Sequence, residues 1–165
     1  MDELSARPPP LTITICARAQ AGALLATGAF DAAISINDPR NRPSKWDVHH
    51  REKFKKRMHG RMQENAAPLA PVRPILFLWF WDGDESDCNG PRQEHVDSIR
   101  SFAAALPRGA RLLIHCRFGI SRSTAAGVIA LCQCGLSFSD AWREIHRVQP
   151  AARPNECMLK LAAPE

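Results

Sequence analysis

Apolar residues recur along the chain in two rhythms. Residues 11–16 alternate β-branched with polar positions, residues 32–36 form a short apolar run, and the alanine-rich stretch between them has helix-forming composition. The pattern predicts strand, helix, strand. The apolar run at 75–81 predicts another buried strand, which breaks off into an acidic turn of Asp82, Gly83, Asp84, Glu85, Ser86 and Asp87. Val96, Ile99, Phe102 and Leu106 then fall at helical spacing, closed by Pro107 and Gly109. Residues 111–115 predict a short strand, and residues 123–134 an alanine-rich helix in which Gly127 allows close packing. Ser137, Phe138, Ala141, Trp142, Ile145 and Val148 outline an amphipathic helix, capped by Ser137 or Ser139 and stopped by Pro150; the tail after Pro154 is expected to be helical too. Strands alternating with helices predict an α/β fold, with a central, mostly parallel sheet flanked by helices on both faces.

Residues 37–74 break this order. Five prolines punctuate a stretch without clean periodicity, with one possible basic helix at 49–62. This reads as a basic insertion beside a core that, at 165 residues, has the size of one domain. Nine of the 22 Lys and Arg residues lie between 40 and 61, against Asp47 and Glu52 alone. Such a concentration suits an anionic partner, nucleic acid or anionic lipid included, and equally a solvated surface. His49 and His50 have neither the ligand spacing for a metal nor the aromatic interleaving for base stacking, so no metal site is assigned.

The longest apolar run is the seven residues 75–81, well below the roughly 18 a spanning helix requires. No basic stretch leads into an apolar run near Met1, so the expectation is a cytoplasmic protein without a membrane span. In a reducing compartment its six cysteines, 16, 88, 116, 132, 134 and 157, are expected as free thiols. Cys132 and Cys134 make a poor metal pair on a helix and read as packing residues.

The segment His115-Cys116-Arg117-Phe118-Gly119-Ile120-Ser121-Arg122-Ser123 joins the strand ending at 115 to the helix beginning near 123. A thiol with an ordinary pKa of about 8.5 is mostly protonated at neutral pH, and only its thiolate attacks. A loop that enters a helix N-terminus supplies unpaired N–H groups and a dipole that favour negative charge on Cys116 and on a bound phosphate. With no proline from 116 to 124, every residue from Arg117 to Arg122 can turn an N–H inward, and Gly119 can adopt positive φ. Arg117, Phe118, Gly119, Ile120, Ser121 and Ser123 are thus the candidate phosphate-binding residues. Arg122 would close the ring with a planar fork matched to two phosphate oxygens. Ser123 or Ser121 can offer a hydroxyl to the sulfur, with Ser123 preferred. His115 should point away from Cys116 and organise the loop by hydrogen bonding. The acidic turn supplies a carboxylate to protonate the leaving oxygen, Asp82 first and Asp84 as the alternative.

This arrangement, His-Cys-x-x-Gly-x-Ser-Arg-Ser with Arg122 six positions after Cys116, resembles the active-site loop of the dual-specificity branch of the protein tyrosine phosphatases, in particular its small bacterial members. The resemblance runs from 75 to about 155 and, less specifically, to the first strands. It implies Cys116 as nucleophile, Arg122 as phosphate ligand, Asp82 as general acid, and no cofactor, since covalent catalysis by cysteine requires no metal. It further implies a phosphorylated protein as partner and phosphotyrosine as substrate, with phosphoserine and phosphothreonine also in range. Phosphoinositides and nucleotide or RNA 5′-phosphates stay open as alternatives for this loop type. Phe118, Trp46 and Trp81 are candidates for the pocket entrance. Two other classes also place a cysteine or an anion in a backbone cradle: a rhodanese-like sulfurtransferase and a non-catalytic phosphate-binding module. Cys16 or Cys88 could also form a protective disulfide with Cys116 under oxidation.

Overall fold

A computed structural model describes residues 10–41, 73–84 and 86–163. Four strands, β1 (Leu11–Ala17), β2 (Ala32–Asn37), β3 (Ile75–Trp79) and β4 (Ala110–Cys116), form one sheet in the order β1-β4-β2-β3, and every pairing is parallel. The expected mostly parallel sheet is therefore wholly parallel among the described residues. Five α-helices accompany it: α1 (Arg18–Ala26), α2 (Gln93–Ala104), α3 (Arg122–Gln133), α4 (Phe138–Val148) and α5 (Glu156–Ala162), with a short 3-10 turn at Pro39–Asn41. Most of the basic insertion, including its possible helix at 49–62 and Trp46, lies outside the described residues.

Strand composition follows from sheet position. β2 and β4 are central and covered on both faces, and they carry almost no exposed side chain. Along β4, Leu112 and Ile114 join the larger core with α2 to α5, whereas Leu113 faces Cys16, Ala21, Leu25, Phe30 and Ala33 on the α1 side. Edge strand β1 shows the half-buried alternation, with Leu11, Ile13 and Ile15 inward. β3 stops at Trp79, two residues short of the expected end, because its ladder with β2 closes at Asn37. Phe80 then leaves the ladder through Phe80 N–H to Asn37 O (3.1 Å), and its buried ring stacks on His95 at 4.5 Å.

Helix α3 is buried along nearly its whole length, which its small residues permit. A Cβ on Gly127 would come within 2.5 Å of Ile145 Cδ1, so this glycine sets how closely α3 and α4 approach. The Ser137 hydroxyl caps α4 by accepting from Asp140 N–H, and Asn155 caps α5 by accepting from Met158 N–H.

The register decides where chemistry can occur. Ala17 pairs with Cys116, Ser35 with His115 and Asn37 with Trp79, so all four carboxyl ends lie at one edge of the sheet. In an open parallel sheet that edge is where ligand sites form. Among the described residues no helix is long and apolar enough to cross a membrane.

Candidate active site

Cys116 is the last residue of β4, and its buried side chain lies on the larger-core side of the sheet. Its Sγ is 3.2 Å from the Ser123 hydroxyl and accepts from Gly119 N–H at 3.3 Å. Burial pushes the thiol pKa up. That effect is outweighed by the Ser123 hydroxyl and the N–H groups of Ser123, Gly119 and Ile120, and the net direction is down.

The loop curls around the sulfur because its carbonyls are tied outward. Arg117 O accepts from Arg18 N–H (3.4 Å), Gly119 O from the Gln149 side chain (2.9 Å), Ile120 O from Arg153 N–H (2.9 Å), and Ser121 O from Ala125 N–H (3.0 Å) and Asn155 N–H (3.3 Å). A peptide whose carbonyl points out points its N–H the other way, so these bonds turn the donors inward. Gly119 is required twice over. Its φ is +71°, and a Cβ there would sit 2.6 Å from Cys16 C and 2.7 Å from Cys16 O, backbone atoms that cannot move aside.

Arg122 opens α3 and is only 3% exposed. Its Nη1 donates to Phe80 O (2.7 Å) and pairs with Asp38 Oδ1 (3.1 Å), while its buried Nε has no partner among the described residues. An unsatisfied buried guanidinium donor is costly. An oxyanion at this position would supply an acceptor in the geometry that this planar group favours.

The sequence-derived candidates separate by position. Ser123 meets the sulfur, and Ser121 Oγ instead donates to Asp82 Oδ1 at 2.7 Å. That Asp82 oxygen also accepts from Asn155 Nδ2 (2.9 Å), which donates as well to Gly83 O (3.1 Å). Asp84 is occupied locally: its Oδ1 accepts from the N–H and hydroxyl of Ser86, and these bonds hold its pKa below the usual value. Phe118 is 67% exposed, with the Arg117 guanidinium 5.1 Å from its ring centre. Trp81 carries Arg40 in the same way at 4.9 Å.

His115 is fully buried on the opposite face, and among the described residues neither ring nitrogen has a hydrogen-bond partner. The Cys116 backbone still acts on the ring and opposes the fall in its pKa, so the contact expected with the start of the loop is a weak one. Burial and the charge of Arg18 push its pKa down to about 4, so the ring is neutral. Cys16 pairs in register with His115 and shares its face, turned away from Cys116; burial and the neighbouring Cys116 raise its pKa to about 11. That placement opposes a bridge between Cys16 and Cys116, and none of the six cysteines is in a disulfide. Among the described residues no group of three or more His, Cys, Asp or Glu is placed to hold a metal ion. Asp38, Gln149, Arg153 and Asn155 were missed by sequence reasoning.

Comparison with known proteins agrees with this geometry. The chain is 26% identical over 122 residues to human protein phosphatase Slingshot homolog 3, which covers 71% of this chain but 18% of that protein. The crystal structure of human DUSP28 superposes with a TM-score of 0.56 at 22% identity, covering 94% of this chain and 90% of that one. A mouse putative dual specificity phosphatase complexed with zinc tungstate superposes with a TM-score of 0.56 at 23% identity, covering 98% and 89%. The chain is dual-specificity-phosphatase-like in fold. No family model matches it. The dual-specificity-like core accounts for the elements that carry the site, whereas the chain spans less than a fifth of the length of the curated relative.

Proposed function

We propose that the chain is a cysteine-dependent phosphatase that hydrolyses phosphate monoesters, phosphotyrosine in proteins foremost, through a phosphocysteine intermediate. One observation carries this reading: a Cys116 thiol held below its ordinary pKa shares a loop with a buried Arg122 whose Nε lacks an acceptor among the described residues.

In the first step the Cys116 thiolate attacks phosphorus. The S–P bond forms as the ester P–O bond breaks, and the departing oxygen takes the proton of Asp82. Among the described residues both hydrogen bonds to Asp82 fall on Oδ1, which leaves Oδ2 for that proton. Arg122 and the loop N–H groups hold the equatorial oxygens, where negative charge gathers in the transition state. In the second step the Asp82 carboxylate accepts a proton from water, the water oxygen bonds to phosphorus, and the S–P bond breaks. The Ser123 hydroxyl stabilises the returning thiolate, inorganic phosphate leaves, and Asp82 is again protonated.

The relative's name, protein phosphatase, supports a phosphoprotein substrate. Tungstate in a structural neighbour is a tetrahedral oxyanion of the kind this cradle would hold. The exposed ring of Phe118 beside the loop offers an apolar surface for a phosphotyrosine ring. A reducing compartment such as the cytoplasm suits a nucleophile that must stay reduced.

The test is hydrolysis of p-nitrophenyl phosphate in EDTA by the wild type and Cys116→Ser. Wild-type turnover that falls by about a thousandfold or more in the variant supports the reading. No turnover in either protein transfers the case to sulfur transfer, assayed with thiosulfate and cyanide, or to phosphate binding without catalysis. Phosphotyrosyl peptides should then exceed phosphoseryl peptides in kcat/KM.

A further inference from the structure

The mechanism above leaves one buried charge without a role. Asp38 directly follows β2, and its side chain is only 10% exposed. Its Oδ1 lies 3.1 Å from Arg122 Nη1, the nitrogen that also donates to Phe80 O at 2.7 Å. Both acceptors stand at the ends of adjacent strands, which are themselves joined by the Phe80 N–H to Asn37 O bond. They hold the guanidinium by one corner and leave Nε, which has no partner among the described residues, on another edge.

We propose that Asp38 is a positioning residue for Arg122: it fixes the buried guanidinium by Nη1 so that the Nε edge stays presented to the phosphate. The inference rests on the phosphatase reading only for the identity of the anion. An arginine side chain has many rotamers to lose, and an isolated buried charge is expensive. A carboxylate already in place offsets both costs before substrate arrives, so less of the binding energy is spent on ordering the arginine. Simple electrostatics gives the opposite sign. A negative charge near an anion site should weaken phosphate binding, and its removal should tighten it. The direction of the effect therefore separates positioning from field.

The experiment measures inorganic phosphate binding by titration calorimetry, alongside p-nitrophenyl phosphate kinetics, for the wild type, Asp38→Asn and Asp38→Ala, each checked by thermal melting. Positioning predicts that Asp38→Ala binds phosphate at least tenfold more weakly and loses a comparable factor in kcat/KM. Asp38→Asn keeps the shape and one acceptor oxygen, and should lose at least threefold. If Asp38→Ala does not fold, Asp38→Asn alone decides. Phosphate affinity within twofold of wild type, or tighter, in the folded variants overturns the proposal. A wild type that binds phosphate but does not turn over ester defeats the phosphatase reading instead, and the calorimetric comparison still judges Asp38.

Discussion

Ser121 and Ser123 have the same side chain two positions apart, yet backbone direction gives them different partners. Ser123, in the first turn of α3, faces the Cys116 sulfur at 3.2 Å, whereas Ser121, just before the helix, turns its hydroxyl to Asp82. The Ser123 hydroxyl is first among the groups that pull the Cys116 pKa down against burial. Removing it leaves burial less opposed, so the thiolate should form only at higher pH. In Ser123→Ala the acidic limb of the kcat/KM profile for p-nitrophenyl phosphate is therefore expected to move to higher pH. Turnover at pH 6 should fall more than turnover at pH 8. A parallel loss at both pH values would mean that the hydroxyl does not act through the thiolate. The sequence preference for Ser123 rested only on its place after Arg122, and sequence reasoning had no means of giving Ser121 to Asp82, a contact across 39 residues.

The elements were the most legible part of the chain. The 3.6-residue spacing of Val96, Ile99 and Phe102, the Ser137 cap and the Pro150 stop appear as expected in α2 and α4. The one strand end read too long, at Phe80 and Trp81, was misplaced because apolar composition continues past the point where hydrogen-bond pairing stops. Phe80 is apolar because it is buried, not because it belongs to the ladder. The packing role of Gly127 was likewise visible in advance, since a glycine inside an alanine-rich helix costs about 1 kcal/mol of helix propensity unless something approaches closely. Ile145 does so, and it is fully buried. Gly127→Ala should therefore destabilise by about 1–2 kcal/mol through overpacking, despite the gain in propensity. For a chain of this size the Tm should drop by roughly 3–8 °C in a calorimetric scan. Shortening the partner in the Gly127→Ala, Ile145→Val double variant should recover part of that loss. A rise in Tm for the single variant would contradict the close contact.

Across the whole molecule, what the sequence concealed was which distant pieces meet. The Cys116–Ser123 loop is legible because all its residues are contiguous; Asp38, Gln149, Arg153 and Asn155 are not, because their importance depends on the β1-β4-β2-β3 order and on where α5 docks. Asp38 was read as part of an insertion beside the core, although an acid placed right after a buried strand is a signal that could have been used. Asn155 joins three regions: it caps α5, donates to Asp82 and Gly83 in the acidic turn, and donates its N–H to Ser121 O in the phosphate loop. Asn155→Ala should loosen Asp82 without touching the sulfur. It is expected to lower kcat by about three- to tenfold, the worth of one or two hydrogen bonds, for phenyl phosphate, whose leaving group needs a proton. With p-nitrophenyl phosphate, whose leaving group needs less help, the loss should be smaller; equal losses on both substrates would argue against a link to proton transfer. The same clamp has a consequence for synthesis. A ribosome delivers Cys116 and Arg122 well before Asn155, and among the described strands β1 has no partner until β4 has been made. A chain stalled after α3 would already hold Cys116 and Arg122 but lack the residue that moors the acidic turn, so the nascent protein would reach full turnover only after α5 has left the exit tunnel.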